Sequence, residues 1–303
     1  MSTYSPLARM FEQFTQHRIT TSDTTINLVM GGAGYPLLLL HGYPQTYVMW
    51  HQVAPVLAQH FTVICADLRG YGDSDKPNSD PAHLTYSKRV TAQDQVELMD
   101  ILGFKRFFAA GHDRGGRVLH RLLLDHPDRV EKAAVLDIVP TRTIFQTVDK
   151  ELATAYEHWF FLIQPYDFPE RLIGADPEFY LKTKIHQWSA TQTGFTEAAM
   201  AEYSRCFSQP AVIHATCEDY RAAASIDLDH DEADIDQKIQ CPLLVLWGAK
   251  GVMQRRYDVL QTWRDRAIDV RGQALECGHF LPEEAPQQTA QALLDFFSDI
   301  LLH

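Results

Sequence analysis

Residues 111–115 read Gly-His-Asp-Arg-Gly. A short apolar run at 106–110 leads into them and a helical pattern follows at once, the signature of a tight strand-to-helix turn that presents a nucleophile. Glycine on both sides lets the backbone bend where a Cβ would collide. The residue at the apex is Asp113, not serine, and that changes the chemistry. A carboxylate is ionised at neutral pH and attacks an sp³ carbon without a base, leaving an alkyl ester on the protein. Breaking that ester requires an activated water. His279, in Cys277-Gly278-His279-Phe280, offers an imidazole that takes a proton from water once a carboxylate fixes its tautomer. Arg114 and Arg117 follow Asp113 by one and four residues. Three apart on the first turn of one helix, they share a face. Two guanidiniums beside a nucleophile suit a substrate that carries a carboxylate.

The elements that must position these residues are legible as alternating patterns. Short apolar runs at 36–40, 61–66, 106–110, 132–138 and 242–247 read as buried strands. Helical patterns at 48–59, 85–102, 115–126, 256–267 and 283–301 separate or follow them. This alternation predicts βαβ units and a mainly parallel sheet. Residues 17–30 predict an antiparallel hairpin on the sheet edge. The interval 141–235 breaks the rhythm: it reads as helical and rich in aromatics, so it is expected to be a helical cap inserted into a core made of 1–140 and 236–303.

Composition bounds the function. The 303 residues are 46% hydrophobic and 22% charged, an ordinary globular balance. A net charge of −12 argues against nucleic acid or an anionic membrane as a partner. It leaves room for a small anionic substrate in a locally basic pocket. Five cysteines without CxxC spacing suggest neither a disulfide framework nor a zinc site, and the histidines form no HExxH cluster. The N-terminal stretch lacks a signal-peptide pattern and no apolar run approaches the ~18 residues of a membrane span. A cytoplasmic protein that needs no metal or cofactor is expected.

Together these residues resemble the α/β-hydrolase superfamily, in the branch shared by haloalkane dehalogenases and epoxide hydrolases. More narrowly, HGYPQTYVMW, GHDRGGR, VLDIVPT, EHWFF, EDYRA and GHFLPEEAP look like the haloacetate dehalogenases, fluoroacetate dehalogenases among them. The resemblance covers essentially the whole chain. It implies an α/β fold with a helical cap, in which His279 is the base. The acid that orients His279 usually follows the strand 242–247, but Gly248-Ala249-Lys250-Gly251 holds no carboxylate. Asp137, after the strand 132–138, stands at the other known position. The resemblance also implies an oxyanion hole from the backbone N–H groups of Tyr43 and Arg114, with the His41 side chain structural. His158, Trp159 and Tyr220 would donate hydrogen bonds to a departing halide, and Trp188 would be a pocket wall. A homodimer is compatible with the relatives.

The reading is a cofactor-free hydrolase that converts haloacetate and water to glycolate and halide through an ester on Asp113. The rival enzyme is an epoxide hydrolase with the same Asp113–His279–Asp137 set and cap phenols, Tyr220 and Tyr156, as proton donors. The arginine beside Asp113 argues against it, since that position is Trp in many epoxide hydrolases. A non-catalytic small-molecule receptor on the same fold is the third reading, opposed by the intact set.

Overall fold

A computed structural model describes residues 9–191 and 193–299. Eight strands form one sheet: β1 Phe14–Thr20, β2 Thr25–Gly31, β3 Tyr35–Leu40, β4 Phe61–Ala66, β5 Phe107–His112, β6 Val130–Leu136, β7 Leu243–Gly248 and β8 Val270–Leu275. Their order is β1-β2-β4-β3-β5-β6-β7-β8. The β1–β2 hairpin and its junction to β4 are antiparallel, and every other pairing is parallel. Parallel strands covered on both faces must be apolar throughout, which is why Leu37–Leu40 and Ala133–Leu136 are fully buried.

Three expected helices are broken, each for a local reason. The stretch 48–59 is a 3₁₀ turn, Tyr47–Trp50, followed by one helical turn, Ala54–Leu57. Pro55 cannot donate the interior N–H that a continuous helix needs, so it starts the second turn instead. The pattern at 256–267 resolves into Val252–Arg256 and Val259–Arg264; Asp258 caps the second by accepting from the Gln261 N–H. The last pattern splits into Leu281–Glu284 and Pro286–Ser298, restarting at Pro286. Its expected end, 300–301, lies outside the described residues.

Between β6 and β7 the described residues form eight α-helices and no strand, from Thr141–Gln146 to Ile226–Ala233. This helical insertion packs over the carboxyl ends of the parallel strands, the edge where α/β sheets place their ligand sites. Trp159, Tyr203 and Tyr220 are buried in it.

Candidate active site

Three strand ends deliver the chemically distinctive residues. β5 ends at His112, and Asp113 follows at φ +45°, opening the helix Asp113–Asp125. A left-handed conformation is costly for a residue with a Cβ, though aspartate tolerates it better than most. The turn closes because its neighbours are glycine. A Cβ on Gly115 would stand 2.4 Å from the His41 carbonyl oxygen, and one on Gly42 would stand 2.5 Å from the Asp113 Cβ. β6 ends at Leu136, and Asp137 follows at φ +51°. The loop after β8 carries His279.

These three side chains meet. His279 Nδ1–H donates to Asp137 Oδ2 at 2.6 Å, and Nε2 faces Asp113 Oδ2 at 4.0 Å. An ionised carboxylate only accepts, so the contact with Asp137 puts the proton on Nδ1 and leaves the Nε2 lone pair toward Asp113. The other oxygen of Asp137 accepts from the Gly248 N–H at 2.9 Å. The turn after β7, which lacks its own acid, thus serves the Asp137 carboxylate with a backbone donor. The His279 carbonyl accepts from His112 Nε2–H at 2.8 Å. Burial works against the charged imidazolium, but Asp137 and then Asp113 outweigh it and raise the His279 pKa above its ordinary value. Burial would push Asp113 upward, yet His279, Arg114 and Arg117 hold it down to about 2. Burial keeps His158 neutral, its pKa lowered to about 3.

The Tyr43 N–H donates to Asp113 Oδ1 at 2.9 Å. Of the two amides expected to form an oxyanion hole, only this one reaches the carboxylate. The Arg114 N–H is the next amide along, at the start of the helix. Both ring nitrogens of His41 are occupied: Nδ1–H donates to the Gly42 carbonyl and Nε2 accepts from the Leu68 N–H, each at 3.0 Å. That is a structural imidazole, as expected.

The two arginines are buried. Arg117, 2% exposed, donates through Nη1 to the Val139 carbonyl and to Thr141 Oγ1, each at 3.0 Å. Its Nε and Nη2 have no partner, and no carboxylate lies within ion-pair distance among the described residues. Arg114 is paired with Asp219 and keeps one unpartnered nitrogen, Nη1. Their guanidiniums lie against aromatic faces, Arg114 at 4.1 Å from the Tyr220 ring centre and Arg117 at 4.5 Å from that of Trp159.

A cavity of about 360 Å³ reaches Asp113, Asp137, His158, Trp159, Trp188 and His279. Tyr220, Arg114 and Arg117 pack beside it and are not on its wall. His158 and Tyr220 stand edge to face at 5.6 Å, and Trp159 and Tyr220 at 5.9 Å. The Tyr220 hydroxyl and His158 Nδ1 are buried without a partner.

Sequence reading missed several contributors. Lys250 and Arg255 also line the cavity, beside Tyr156, which the sequence offered only as a phenol of the rival reading. Glu284 accepts from the Gly278 and Phe280 N–H groups on either side of His279 and from Ala190 and Thr191 of the insertion. Asp219 was hidden inside EDYRA, because its partners lie far away in the chain. Among the described residues no group of three or more His, Cys, Asp or Glu could hold a metal ion, and no helix is long and apolar enough to cross a membrane.

The chain matches the family model for the α/β hydrolase fold over residues 35–286. It is 48% identical over 291 residues to a fluoroacetate dehalogenase of Burkholderia sp., covering 96% of each chain. It is 34% identical over 297 residues to a soluble epoxide hydrolase of Corynebacterium sp. strain C12, covering 96% of this chain and all of the relative. A solved structure from Nostoc sp. PCC 7120, described as an α/β hydrolase, superposes with a TM-score of 0.95 at 63% identity, over 95% of this chain and 99% of the other.

Proposed function

Because the chain belongs to the α/β-hydrolase family, we propose that this hydrolase acts on a carbon–halogen bond, converting a haloacetate and water to glycolate and halide. The observation that carries the proposal is the buried, unpaired guanidinium of Arg117, with Nε and Nη2 unpartnered and Arg114 Nη1 unpartnered beside it. A buried cation with free donors is stabilised by an anion of matching geometry, and a carboxylate is that anion.

The geometry supports a two-step reaction. Asp113, ionised because its pKa is held near 2, attacks the halogen-bearing carbon from the back. The C–X bond breaks, a carbon–oxygen bond forms, and halide leaves with the electron pair. Arg114 and Arg117 bind the substrate carboxylate. His158, Trp159 and Tyr220 donate hydrogen bonds to the halide. Neutral His279, its proton fixed on Nδ1 by Asp137, takes a proton from water through Nε2. The hydroxide adds to the Asp113 carboxyl carbon, the bond from that carbon to the glycolate oxygen breaks as His279 returns its proton to that oxygen, and the Asp113 carboxyl gives up the proton brought by the hydroxide to solvent, restoring the carboxylate. The oxyanion develops on an Asp113 oxygen. Oδ1 already accepts from the Tyr43 amide in the resting protein, so that donor needs no rearrangement.

One observation favours a second reading. Tyr156 lines the cavity and Tyr220 holds a buried free hydroxyl, two O–H groups placed as the donors to an epoxide oxygen would be. A neutral epoxide would, however, leave the arginine N–H groups unpartnered. Halide release from fluoroacetate and chloroacetate, beside diol formation from styrene oxide, separates the readings. Diol without halide would replace the dehalogenase assignment; neither product would support the receptor reading.

A further inference from the structure

The two arginines beside Asp113 are held in different ways. Arg117 is held by two neutral oxygens, the Val139 carbonyl and Thr141 Oγ1 at the very start of the insertion. Arg114 is held by a carboxylate from the helical insertion. Asp219, on the helix Pro210–Ala223, accepts from Arg114 Nε on Oδ2 at 2.8 Å and from Nη2 on Oδ1 at 3.0 Å; its main-chain oxygen accepts from Nη2 at 3.0 Å. Tyr71 donates its hydroxyl to Asp219 Oδ2 at 2.8 Å, and Lys88 Nζ donates to Oδ1. Asp227, also on the insertion, accepts from the Lys88 N–H at 2.8 Å. Asp219 is 5% exposed and Arg114 is fully buried.

This arrangement does two things. It compensates Arg114, which would otherwise stand as an uncompensated buried cation beside Arg117, and it shares Lys88 with Asp227, whose Oδ2 lies 3.4 Å from Nζ. It also fixes orientation. A carboxylate engaged on the Nε–Nη2 edge sets both the plane and the roll of a guanidinium. Nη1 is the corner opposite that edge, and it is the one Arg114 nitrogen without a partner.

We propose that Asp219 is a positioning residue of the carboxylate clamp: it turns Arg114 so that Nη1 alone is offered to the substrate, beside the free Nε–Nη2 edge of Arg117. Asp219 rides on the insertion while Arg114, Lys88 and Tyr71 belong to the sheet-bearing part. The clamp is therefore complete only when the insertion is seated. This rests on the haloacetate reading above and names what makes that site selective for an acid over its amide.

The test compares chloroacetate with chloroacetamide in wild type and variants. Asp219→Asn keeps the side-chain volume but removes the charge. Its kcat/KM for the acid should fall about 10- to 150-fold, the span for hydrogen bonds to charged groups, mainly through KM. The amide should change by less than about threefold, below the cost of one ordinary hydrogen bond. Tyr71→Phe, a milder change that removes one donor from Asp219 Oδ2, should shift the acid-to-amide ratio in the same direction by about two- to fivefold; it decides the matter if Asp219→Asn does not fold. Arg205→Met cuts the ion pair between Arg205 of the insertion and Asp73, a tether that does not involve Asp219, so it should lower thermal stability without moving the ratio. Equal losses on acid and amide, an unchanged ratio, or the same shift in Arg205→Met would reduce Asp219 to a tether for the insertion and overturn the proposal. Wild type inert toward chloroacetate would instead sink the dehalogenase reading. Calorimetric titration with glycolate and glycolamide then reads the same acid-to-amide ratio without turnover.

Discussion

The sheet end and the insertion end of the site differ in how fully their polar groups are partnered. At the sheet end, both oxygens of Asp137 are hydrogen-bonded, His279 is pinned through its ring and its carbonyl, and Asp113 Oδ1 holds the Tyr43 amide. Facing it, the Tyr220 hydroxyl and His158 Nδ1 have no partner, nor do three arginine nitrogens at the base of the site. Buried polar groups are almost always satisfied, and each orphan costs on the order of 1–3 kcal/mol. Orphans gathered beside one cavity support the reading that these groups are kept for a ligand. The Asp137–His279–Asp113 set, bonded as described, is the part whose geometry must stand ready before any ligand arrives. On the proposed reading, bond making belongs to that set and recognition to the orphaned donors around it.

That contrast can be broken at its strongest point first. Asp113→Asn should lower steady-state dehalogenation by about 10⁴-fold or more, the scale on which removing a nucleophile acts, because an amide is a poor nucleophile toward carbon. Retained turnover in fresh protein, with deamidation excluded by mass spectrometry, would take Asp113 out of the role. His279→Ala should keep the first half-reaction and lose the second. One equivalent of halide is expected as a burst, with an adduct on the Asp113 peptide; repeated turnover would contradict the division of labour.

The two halves should also part company with pH. Ester hydrolysis needs neutral His279, whose pKa is raised against the opposing effect of burial chiefly by Asp137, the partner that keeps its charge while Asp113 is esterified. Its rate should therefore fall about tenfold per pH unit below that raised pKa, losing activity at a higher pH than an unperturbed imidazole would. Ester formation needs ionised Asp113, with a pKa near 2, so its single-turnover rate should stay flat through the same range. Parallel profiles would mean that one group limits both steps.

Recognition should yield smaller, substrate-dependent effects. Arg117→Lys keeps the charge but loses the two-pronged edge. It should cost about 1.5–3 kcal/mol in kcat/KM for the acid, roughly 10- to 150-fold, and much less for the amide; equal losses would mean that Arg117 positions Asp113 rather than substrate. The smallest and sharpest effect concerns the halide. Fluoride needs hydrogen bonds more than chloride does, so Tyr220→Phe and Trp159→Phe should slow ester formation from fluoroacetate more than from chloroacetate, by about 1–3 kcal/mol per donor. An unchanged ratio would return both residues to the packing of the insertion.

By itself the sequence determined the parts whose signal is local. Apolar runs with turn punctuation located five of the six strands in parallel pairings, β8 being half exposed and carrying no such run, and Gly-His-Asp-Arg-Gly located Asp113, because strand burial and a tight turn are written within about ten residues. His279 and Asp137 were legible only as candidates at the right strand ends. That they share a hydrogen bond across 142 residues was decided by the tertiary structure. Folding also decided which arginine is free. Arg114 and Arg117 look alike in sequence, yet Asp219, 105 residues beyond Arg114, occupies one and leaves the other unpaired. The broken helix at 48–59 lay in between: Pro55 was visible, but the resulting turn is set by packing around it. Pairings between distant segments leave no periodicity in a single chain, since nothing in the residue types of one segment specifies which surface of another it will meet.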